Sequence, residues 1–380
     1  MAARIIQFGT SRFLQAHVDL FVHEARQAGQ AAGPITVVQV SPSADRAGRV
    51  AAFGRPEGYP VLIRGLEQGQ RVDRRIDVTS VERGLAAVRD WQELRARFAG
   101  EADHIVSNTG EAGYDIAPAD QAGAWAEAAV PASFPAKLAA LLHHRWRDGA
   151  RPLAVLPCEL ISGNGRVLKA AVLALVREAR LPVAFADWLT REVPFADTLV
   201  DRIVATPLEP IGAIAEPYAL WAVARQPGLT LPCTHPAIVA TDDLEPYERL
   251  KLHILNLGHT ALADLWRAQA RDPGETVRAI LAEAPVRDHL ETIYREEVVP
   301  GFAAHGMGEA AEAYVATTLE RFQNPFLDHK LADIAQHHAT KVERRIAAFL
   351  AWSAEAGRTA PAPLLAAIVA RGRASQGKMP

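Results

Sequence analysis

Residues 5–17, "IIQFGTSRFLQAH", decide the fold of the amino-terminal half of the chain. The run "ARIIQFG" (3–9) predicts a buried strand that ends at Gly9, and residues 12–29 have the apolar spacing of one helix. A strand, a glycine and a helix in that order point backbone N–H groups at one spot, as in dinucleotide-binding folds. The full GxGxxG fingerprint is absent, because only Gly9 is a glycine, so an ordinary strand-to-helix turn stays open.

The segments beyond this turn continue the same rhythm. Short apolar runs at 34–42, 103–110 and 152–161 predict strands, and residues 90–100 and 133–149 predict helices between the later ones. Residues 61–84 alternate like a hairpin or meander. Strand, helix and strand in alternation favour a parallel sheet with crossover helices.

The sequence pattern changes in the second half of the chain. Six prolines between Val204 and Pro236 are too dense for long helices, and after Pro246 the pattern is almost wholly helical. We therefore expect an α/β fold with two domains. Residues 1–240 would form a Rossmann-like, doubly wound dinucleotide-binding domain with a strand-rich extension. Residues 241–380 would form a mostly α-helical substrate and catalytic domain.

Composition narrows the classes of function. The chain has 380 residues, 49% of them hydrophobic, and a net charge of −3, which gives no long-range attraction to nucleic acid or membranes. Two distant cysteines, Cys158 and Cys233, make neither a disulfide framework nor a Cys-rich zinc site. With neither a signal-peptide pattern nor an apolar run of membrane-spanning length, we expect a cytoplasmic protein without nucleic-acid or membrane partners.

Polar residues follow three of the predicted strands, at the edge where ligands bind in open parallel sheets. Asn108 and Thr109 follow one strand, and Glu159 and Asn164 follow another, although all four are equally typical of caps and turns. The second strand ends at Val40 and Ser41, where an acidic residue would hold an adenosine ribose. Asp45 comes slightly late, and Arg46 and Arg49 suit a 2′-phosphate equally well, so these residues leave NAD versus NADP open.

The segment "KLHILNLGHTALADL" (251–265) sets Lys251, Asn256 and His259 among apolar residues. On an α-helix, at about 100° per residue, Asn256 lies about 140° and His259 about 80° from Lys251, while His253 points elsewhere. Burial among leucines would lower the lysine pKa and allow proton transfer near neutrality. A snorkelling surface lysine beside a satisfied core histidine is the alternative.

Several segments together resemble the mannitol dehydrogenase family of polyol-specific long-chain dehydrogenases. Residues 251–259 match its K-x(4)-N-x(2)-H pattern, and "FGTSRFLQAH", "TLVDRIV" (198–204) and "RFQNPF" (321–326) are similar to family segments. "SNTGEAG", "FPAKLAALL", "PCELI" followed by "NG", "LVDRIV", "TDDLEPY" and "RFQNPF" resemble the tagaturonate reductase (altronate oxidoreductase) branch most.

The resemblance implies an NAD(P)-dependent, metal-independent oxidoreductase acting on a small sugar acid or polyol, with NAD(H) favoured over NADP(H). It implies Lys251 as the general acid/base, with Asn256 and His259 as its catalytic partners. The expected cofactor-binding residues are Phe8, Gly9, Thr10, Ser11, Arg12, Phe13, Ser41, Asn108 and Thr109. The expected substrate-binding residues are Glu159, Asn164, Asp201 and Lys341. A monomer or small homo-oligomer is expected.

Two positions depart from the family pattern. Leu160 stands where mannitol dehydrogenases carry an asparagine of the oxyanion-stabilising pair, so either Asn256 acts alone or Glu159 or Asn164 reshapes the site. Asp333 replaces a family arginine, while Lys341 keeps the family lysine. A mannitol or mannitol-1-phosphate dehydrogenase and a catalytically inactive nucleotide-binding protein are the alternatives. A zinc-dependent alcohol dehydrogenase is disfavoured by the lack of a cysteine cluster.

Overall fold

A computed structural model describes residues 3–42, 47–110, 112–126, 129–357 and 360–376. The chain forms two compact units. The first comprises Met1–Ile63, Arg74–Ala215 and Ala219–Leu244, and the second comprises Arg64–Asp73, Glu216–Tyr218 and Glu245–Pro380. The division at 244 falls four residues after the predicted boundary at 240. The prediction of a single boundary missed that Arg64–Asp73 and Glu216–Tyr218, which precede it in sequence, belong to the helical unit.

The first unit is built on a parallel sheet. In chain order the strands are β1 (Ala3–Phe8), β2 (Ala32–Gln39), β3 (Tyr59–Glu67), β4 (Gln70–Val78), β5 (Val81–Ala86), β6 (Ala102–Ser107), β7 (Ala154–Pro157), β8 (Thr198–Asp201), β9 (Val204–Pro207), β10 (Ala213–Ala215), β11 (Leu220–Ala224) and β12 (Ile238–Thr241). Five of them pair in parallel in the order β5-β2-β1-β6-β7. This order places β1 at the centre, as in a doubly wound fold, and confirms the predicted fold class.

Helices pack on this sheet and bury its central strands. The helices of the first unit are α1 (Arg12–Gln15), α2 (Val18–Gln27), α3 (Ala47–Ala52), α4 (Trp91–Gly100), α5 (Phe134–Arg147), α6 (Asn164–Glu178) and α7 (Val183–Arg191), with a kinked 3₁₀ segment at Pro118–Ala126. Phe8, at the end of β1, is fully buried and its ring lies 5.3 Å from that of Phe134 and 6.5 Å from that of Phe98. The core of this unit therefore lies directly behind the carboxyl end of β1.

The helix predicted over residues 12–29 is divided, so that prediction was wrong in detail. The chain turns between α1 and α2 at Ala16 and His17, and the His17 backbone is not helical (φ −127°, ψ −96°). His17 is fully buried, its ring contacts those of Phe13 and Phe21, and its Nε2 lies 3.1 Å from Leu220 O. Burial lowers the pKa of His17 to about 3, so this imidazole is a neutral core group.

The strands outside the parallel sheet form two smaller sheets. Strands β3 and β4 are neighbours, as the alternating pattern predicted, in a sheet of order β4-β3-β10-β9. The last part of the same segment forms β5 at the edge of the parallel sheet. The third sheet has the order β12-β11-β8. Among the described residues between Val204 and Thr241 the regular elements are short strands, in keeping with the density of prolines.

The second unit is helical, as predicted. Its α-helices are α8 (Glu245–Leu250), α9 (Asn256–Ala268), α10 (Val277–Leu281), α11 (Ala284–Thr292), α12 (Val299–Ala304), α13 (Gly308–Phe322), α14 (Leu331–Ile334), α15 (His338–Val342), α16 (Ala348–Glu355) and α17 (Pro363–Gln376). Three π-helical segments join consecutive helices, at Lys251–Leu255, Ile293–Val298 and Glu343–Ala347. The α-helices and π-helical segments of this unit pack around one apolar core that includes Ile254, Leu257, Phe302, Phe349 and Leu365.

The π segment at Ile293–Val298 has a local cause. Pro300 follows it at the start of α12 and has no N–H with which to continue an α-helical hydrogen-bond ladder. None of the helices in the described part of the chain is long and apolar enough to cross a membrane.

Candidate active site

Gly9 lets three strand ends meet in the first unit. Its φ is +119°, and a Cβ there would lie 2.4 Å from the carbonyl oxygen of Asn108. The Gly9 N–H donates to Val38 O, and the Asn108 N–H donates to Phe8 O. Glycine is therefore required by the protein's own backbone at this edge, in addition to any approach of a ligand.

A groove of about 780 Å³ opens at this edge. Seven of the nine predicted cofactor-binding residues line it: Gly9, Thr10, Ser11, Arg12, Ser41, Asn108 and Thr109. Phe8 lies in the core behind the groove, and Phe13 packs on His17. The lining also includes Gly110, Gly113 and Asp115, which belong to the segment after β6 but were not among the predicted cofactor-binding residues.

The groove fits a dinucleotide on its own geometry. It lies at the carboxyl ends of β1, β2 and β6, where such cofactors bind in doubly wound folds. Ser41 Oγ is buried and has no hydrogen-bond partner among the described residues, so it is available to a ligand hydroxyl. Arg49 Nη2 donates to Thr10 O at 3.2 Å. Asp45 and Arg46 lie outside the described residues.

Glu159 connects the loops that follow β6 and β7 through several hydrogen bonds. Its buried carboxylate accepts hydrogen bonds from Ser107 Oγ at 2.9 Å, from Thr109 N and Oγ1 at 3.0 Å, and from Tyr114 Oη at 2.9 Å. Burial raises the pKa of Tyr114, which keeps its hydroxyl a donor. These contacts hold the threonine that lines the groove in one position.

Asn164 has a similar organising position. Its side-chain oxygen accepts from the N–H groups of Gly165 and Thr198, and its Nδ2 donates to the carbonyl oxygens of Pro157 and Glu159. Asp201 is buried at the end of β8, whereas Leu160 is 67% exposed. A role of Glu159, Asn164 and Asp201 in substrate binding stays a prediction.

In the second unit, the residues of the K-x(4)-N-x(2)-H segment do not lie on one straight α-helix. Lys251–Leu255 is π-helical, and the Asn256 N–H donates to the carbonyl oxygens of both Leu252 and Lys251. An i→i+5 bond sets Lys251 and Asn256 about one turn apart, so the 140° separation expected for an α-helix was wrong. His259 follows Asn256 by three residues on α9 and shares its face.

The burial of this segment also differs from the expectation. Lys251 and Leu252 are only half-buried, while His253, Ile254 and Leu255 are buried. The His253 ring packs against Phe349 and Trp352, and its Nδ1 lies 3.0 Å from Arg345 O. His253 is therefore a core residue.

His259 is buried against two rings. Its ring centroid lies 4.3 Å from that of Phe322 and 4.8 Å from that of His329. Burial first, and then the charges of His329 and Arg321, lower the pKa of His259 well below its usual value. A neutral imidazole can donate one hydrogen bond and accept another, which suits a group that orients a substrate oxygen.

His329 escaped sequence reasoning, although it follows the "RFQNPF" segment by three residues. Its Nδ1 is buried and unpartnered among the described residues. The charge of exposed Asp333 raises its pKa and that of Lys341 lowers it, although burial has the largest effect and the net change is downward. The only available signal was a histidine next to Lys330, a weak pattern without a defined chemistry.

Lys341 lies in the same cluster. Its Nζ donates to Ile334 O at 2.8 Å, and burial followed by the charge of Arg345 lowers its pKa. Arg345 Nη1 donates to Thr260 Oγ1 at 3.1 Å, and burial lowers the pKa of Arg345 to about 10. The second unit thus brings together Asn256, His259 and Lys341 of the predicted set, with His329 and Arg345 added.

The described residues contain no group of three His, Cys, Asp or Glu side chains placed to hold a metal ion. Cys158 and Cys233 are both buried free thiols, and burial raises the pKa of each. The expectation that activity needs no metal stays a prediction.

The sequence matches two family models. Residues 3–230 match the Mannitol dehydrogenase Rossmann domain, and residues 243–374 match the Mannitol dehydrogenase C-terminal domain. Altronate oxidoreductase of Halalkalibacterium halodurans is 31% identical over 90% of this chain and 69% of its own length. Altronate oxidoreductase of Klebsiella pneumoniae is 33% identical over 90% of this chain and 74% of its own length.

Solved structures support the same fold. A substrate-free D-sorbitol dehydrogenase has a TM-score of 0.79 at 19% identity and covers 94% of this chain and 78% of its own. Mannitol 2-dehydrogenase of Pseudomonas fluorescens, solved with NAD and D-mannitol, has a TM-score of 0.73 at 20% identity. It covers 98% of this chain and 79% of its own.

The fold and the groove define a nicotinamide-dependent dehydrogenase, of the class that acts on sugar alcohols or sugar acids. The chain belongs to the mannitol dehydrogenase family. The predicted family and enzyme class are confirmed.

Proposed function

We propose that this protein is an NAD-dependent oxidoreductase that interconverts altronate and the corresponding keto-uronate, tagaturonate. Relatives named altronate oxidoreductase, each about 30% identical over 90% of the chain, support the choice of substrate. The observation that carries the proposal is the π-helical turn at Lys251–Leu255. Its register would set the Lys251 side chain about one turn from Asn256, which shares a face of α9 with His259. A proton-transfer group, an amide donor and a neutral imidazole together suit a reacting hydroxyl or carbonyl oxygen.

The roles follow from the chemistry of each side chain. A bound nicotinamide would supply the chemistry of hydride transfer at the alcohol carbon. Lys251 takes the hydroxyl proton as the carbonyl forms and releases it to solvent, so the alcohol loses one hydride and one proton in total. Asn256 donates a hydrogen bond where negative charge develops on the oxygen. His259, which burial keeps neutral, orients the same oxygen or Lys251.

The preference for NAD(H) rests on the end of β2. Ser41, which lines the groove there, offers an uncharged hydroxyl that suits a ribose 2′-hydroxyl. Arg49, the described basic residue nearest in sequence, already donates to Thr10 O. Calorimetry with NADH and NADPH tests this preference directly: tighter binding of NADH supports it, and tighter binding of NADPH contradicts it.

One observation favours a second candidate, oxidation of a neutral polyol such as mannitol. Asp333 places a negative charge close enough to His329 to affect its pKa, and a carboxylated substrate would be repelled by it. Lys341, whose charge also acts on His329, opposes that repulsion. We give the carboxylated substrate precedence because the relatives in which the identity reaches 33% are altronate oxidoreductases.

The experiment that tests the proposal is a substrate panel. Altronate, mannitol, sorbitol and mannitol 1-phosphate are each offered with NAD⁺ and NADP⁺, and formation of the reduced nicotinamide is followed by absorbance. The proposal predicts the highest kcat/KM for altronate with NAD⁺. A higher kcat/KM for mannitol selects the second candidate. Dinucleotide binding without turnover of any alcohol or ketone tested would indicate an inactive member of the family.

A further inference from the structure

Two of the π-helical segments of the second unit, Ile293–Val298 and Glu343–Ala347, each contact the third, Lys251–Leu255. Such segments are rare, interrupt the regular hydrogen-bond ladder and occur frequently at functional sites. The segment Lys251–Leu255 carries the proposed proton-transfer residue. The segment Ile293–Val298 reaches it through Tyr294, and the segment Glu343–Ala347 reaches it through Arg345. The first segment is therefore held from two sides.

Tyr294 makes the contact with the middle of the first segment. Its side chain is 1% exposed, and its hydroxyl donates a hydrogen bond of 3.0 Å to the carbonyl oxygen of Ile254. Burial raises the pKa of Tyr294, so the hydroxyl keeps its proton and remains a donor at any pH at which the enzyme works. A buried hydroxyl that lost this acceptor would remain unsatisfied, which is costly.

Gly258 provides the space for that contact. A Cβ at Gly258 would lie 1.8 Å from Tyr294 Oη and 2.9 Å from Tyr294 Cζ. Any other residue at this position, between Asn256 and His259, would displace the tyrosine hydroxyl. The contact explains why a glycine is required at position 258 of the "KLHILNLGH" segment: Tyr294 packs directly against α9 at this point.

We propose that Tyr294 is a positioning residue for proton transfer. By bonding Ile254 O through the gap at Gly258, it holds residues 251–255 in the π-helical register that sets Lys251 about one turn from Asn256. In an α-helical register the same two side chains would diverge by about 140°. This inference rests on the proposed function, since it concerns the direction of the side chains assigned to the reacting oxygen.

Contacts on the other side make the role testable without unfolding. His253 Nδ1 lies 3.0 Å from Arg345 O, and Arg345 Nη1 donates to Thr260 Oγ1 at 3.1 Å. These contacts remain when only the Tyr294 hydroxyl is removed, so Tyr294→Phe should stay folded while the register loosens. Gly258→Ala should have a similar but larger effect, because the new methyl group displaces the whole ring.

The test compares Tyr294→Phe with the wild-type enzyme in the oxidation of altronate by NAD⁺, or of the best alcohol from the substrate panel. We expect kcat to fall roughly 10- to 100-fold, as for a misplaced catalytic group, and the midpoint of its pH profile to shift. The dissociation constant of NADH should not change. Hydrogen–deuterium exchange, which needs no substrate, should be faster at the amides of residues 252–256.

A matched control is Tyr59→Phe, which removes another buried hydroxyl, bonded to Asp19 in the first unit. It should lower stability and leave kcat and its pH profile unchanged. A Tyr294→Phe enzyme with wild-type kcat, pH profile and exchange rates overturns the proposal, even if its melting temperature falls. If instead Lys251→Ala retains wild-type kcat, the proposed function itself fails, so the two failures are distinguishable.

Discussion

The backbone N–H of Asn256 donates a hydrogen bond to the carbonyl oxygen of Lys251, five residues earlier. This bond belongs to a π-helical turn, which puts the two side chains about one turn apart on the same side of the segment. In an α-helix the same two side chains would instead be separated by about 140° around the helix axis.

The first prediction concerns that amide. Asn256→Ala should lower kcat by roughly 100-fold or more, because one donor to the developing oxyanion contributes roughly 3 kcal/mol. The fold around it should persist, since Arg345 and Thr260 bond the Asn256 backbone carbonyl and not its side chain. Steady-state kinetics and NADH calorimetry measure both properties. Gln269→Ala, an exposed amide after α9, is the control, and equal kcat values for the two variants would contradict the assignment.

The second prediction concerns binding of the substrate's polar end. Lys341→Ala should raise KM for altronate roughly 10-fold and change kcat less, as the loss of a uniform binding contact does. The exposed Lys330 provides the control, and Lys330→Ala should leave both constants unchanged. A kinetically silent Lys341→Ala, together with a preference for neutral polyols, would rule out this contact.

The sequence predicted the parts of the fold that depend on local pattern. The strand ending at Gly9 has a buried apolar run, and the helical second half has clear periodicity, so both were predictable. The division of the helix at His17 was not, because a buried histidine bonded to Leu220 O is a long-range contact. Residues 64–73 and 216–218 join the helical unit for the same kind of reason.

For the candidate site, the sequence suggested residue types but not their geometry. Residue types and spacing pointed to Lys251, Asn256 and His259, but they did not predict the π-helical segment or its hydrogen bond from Tyr294, about forty residues later in the chain. His329 was missed because its contact with His259 joins α9 to the loop before α14, far away in sequence. Phe8 was expected at the cofactor, but its side chain points into the core, since alternate residues of a strand face opposite sides.

The third prediction concerns stability and pH. Asp19 is fully buried, its Oδ2 accepts a hydrogen bond from Tyr59, and burial raises its pKa from 3.8 to about 7. The folded state therefore favours the protonated carboxyl, and this stabilisation, present in full below pH 3.8, is lost as the pH rises through 7. The whole effect corresponds to about 4 kcal/mol.

Asp19→Asn removes the ionisation and retains an acceptor for Tyr59. The variant should gain stability relative to the wild type as the pH rises from about 4 to 8, as measured by urea unfolding at several pH values. Asp187→Asn, at an exposed site on α7, should show no such trend. A constant difference in unfolding free energy between wild type and Asp19→Asn across this range would contradict the assignment.

The fourth prediction is that turnover survives exhaustive chelation. A lysine that transfers the proton makes a Lewis acid unnecessary, and the two cysteines, Cys158 and Cys233, lie 75 positions apart in sequence. Enzyme dialysed against EDTA should keep its full kcat with NAD⁺ and altronate. Loss of turnover that zinc restores would point to the metal-dependent alternative.

Proton transfer by Lys251 is tested by the pH profile of alcohol oxidation by the Lys251→Ala enzyme. We expect a kcat lower by roughly 10²- to 10⁴-fold, an unchanged NADH dissociation constant, and loss of the ionisation on the lower limb of the profile. A small exogenous amine should restore part of the rate. Near-normal turnover with an unchanged pH profile would contradict the account and leave Lys251 as a lysine on a helix surface.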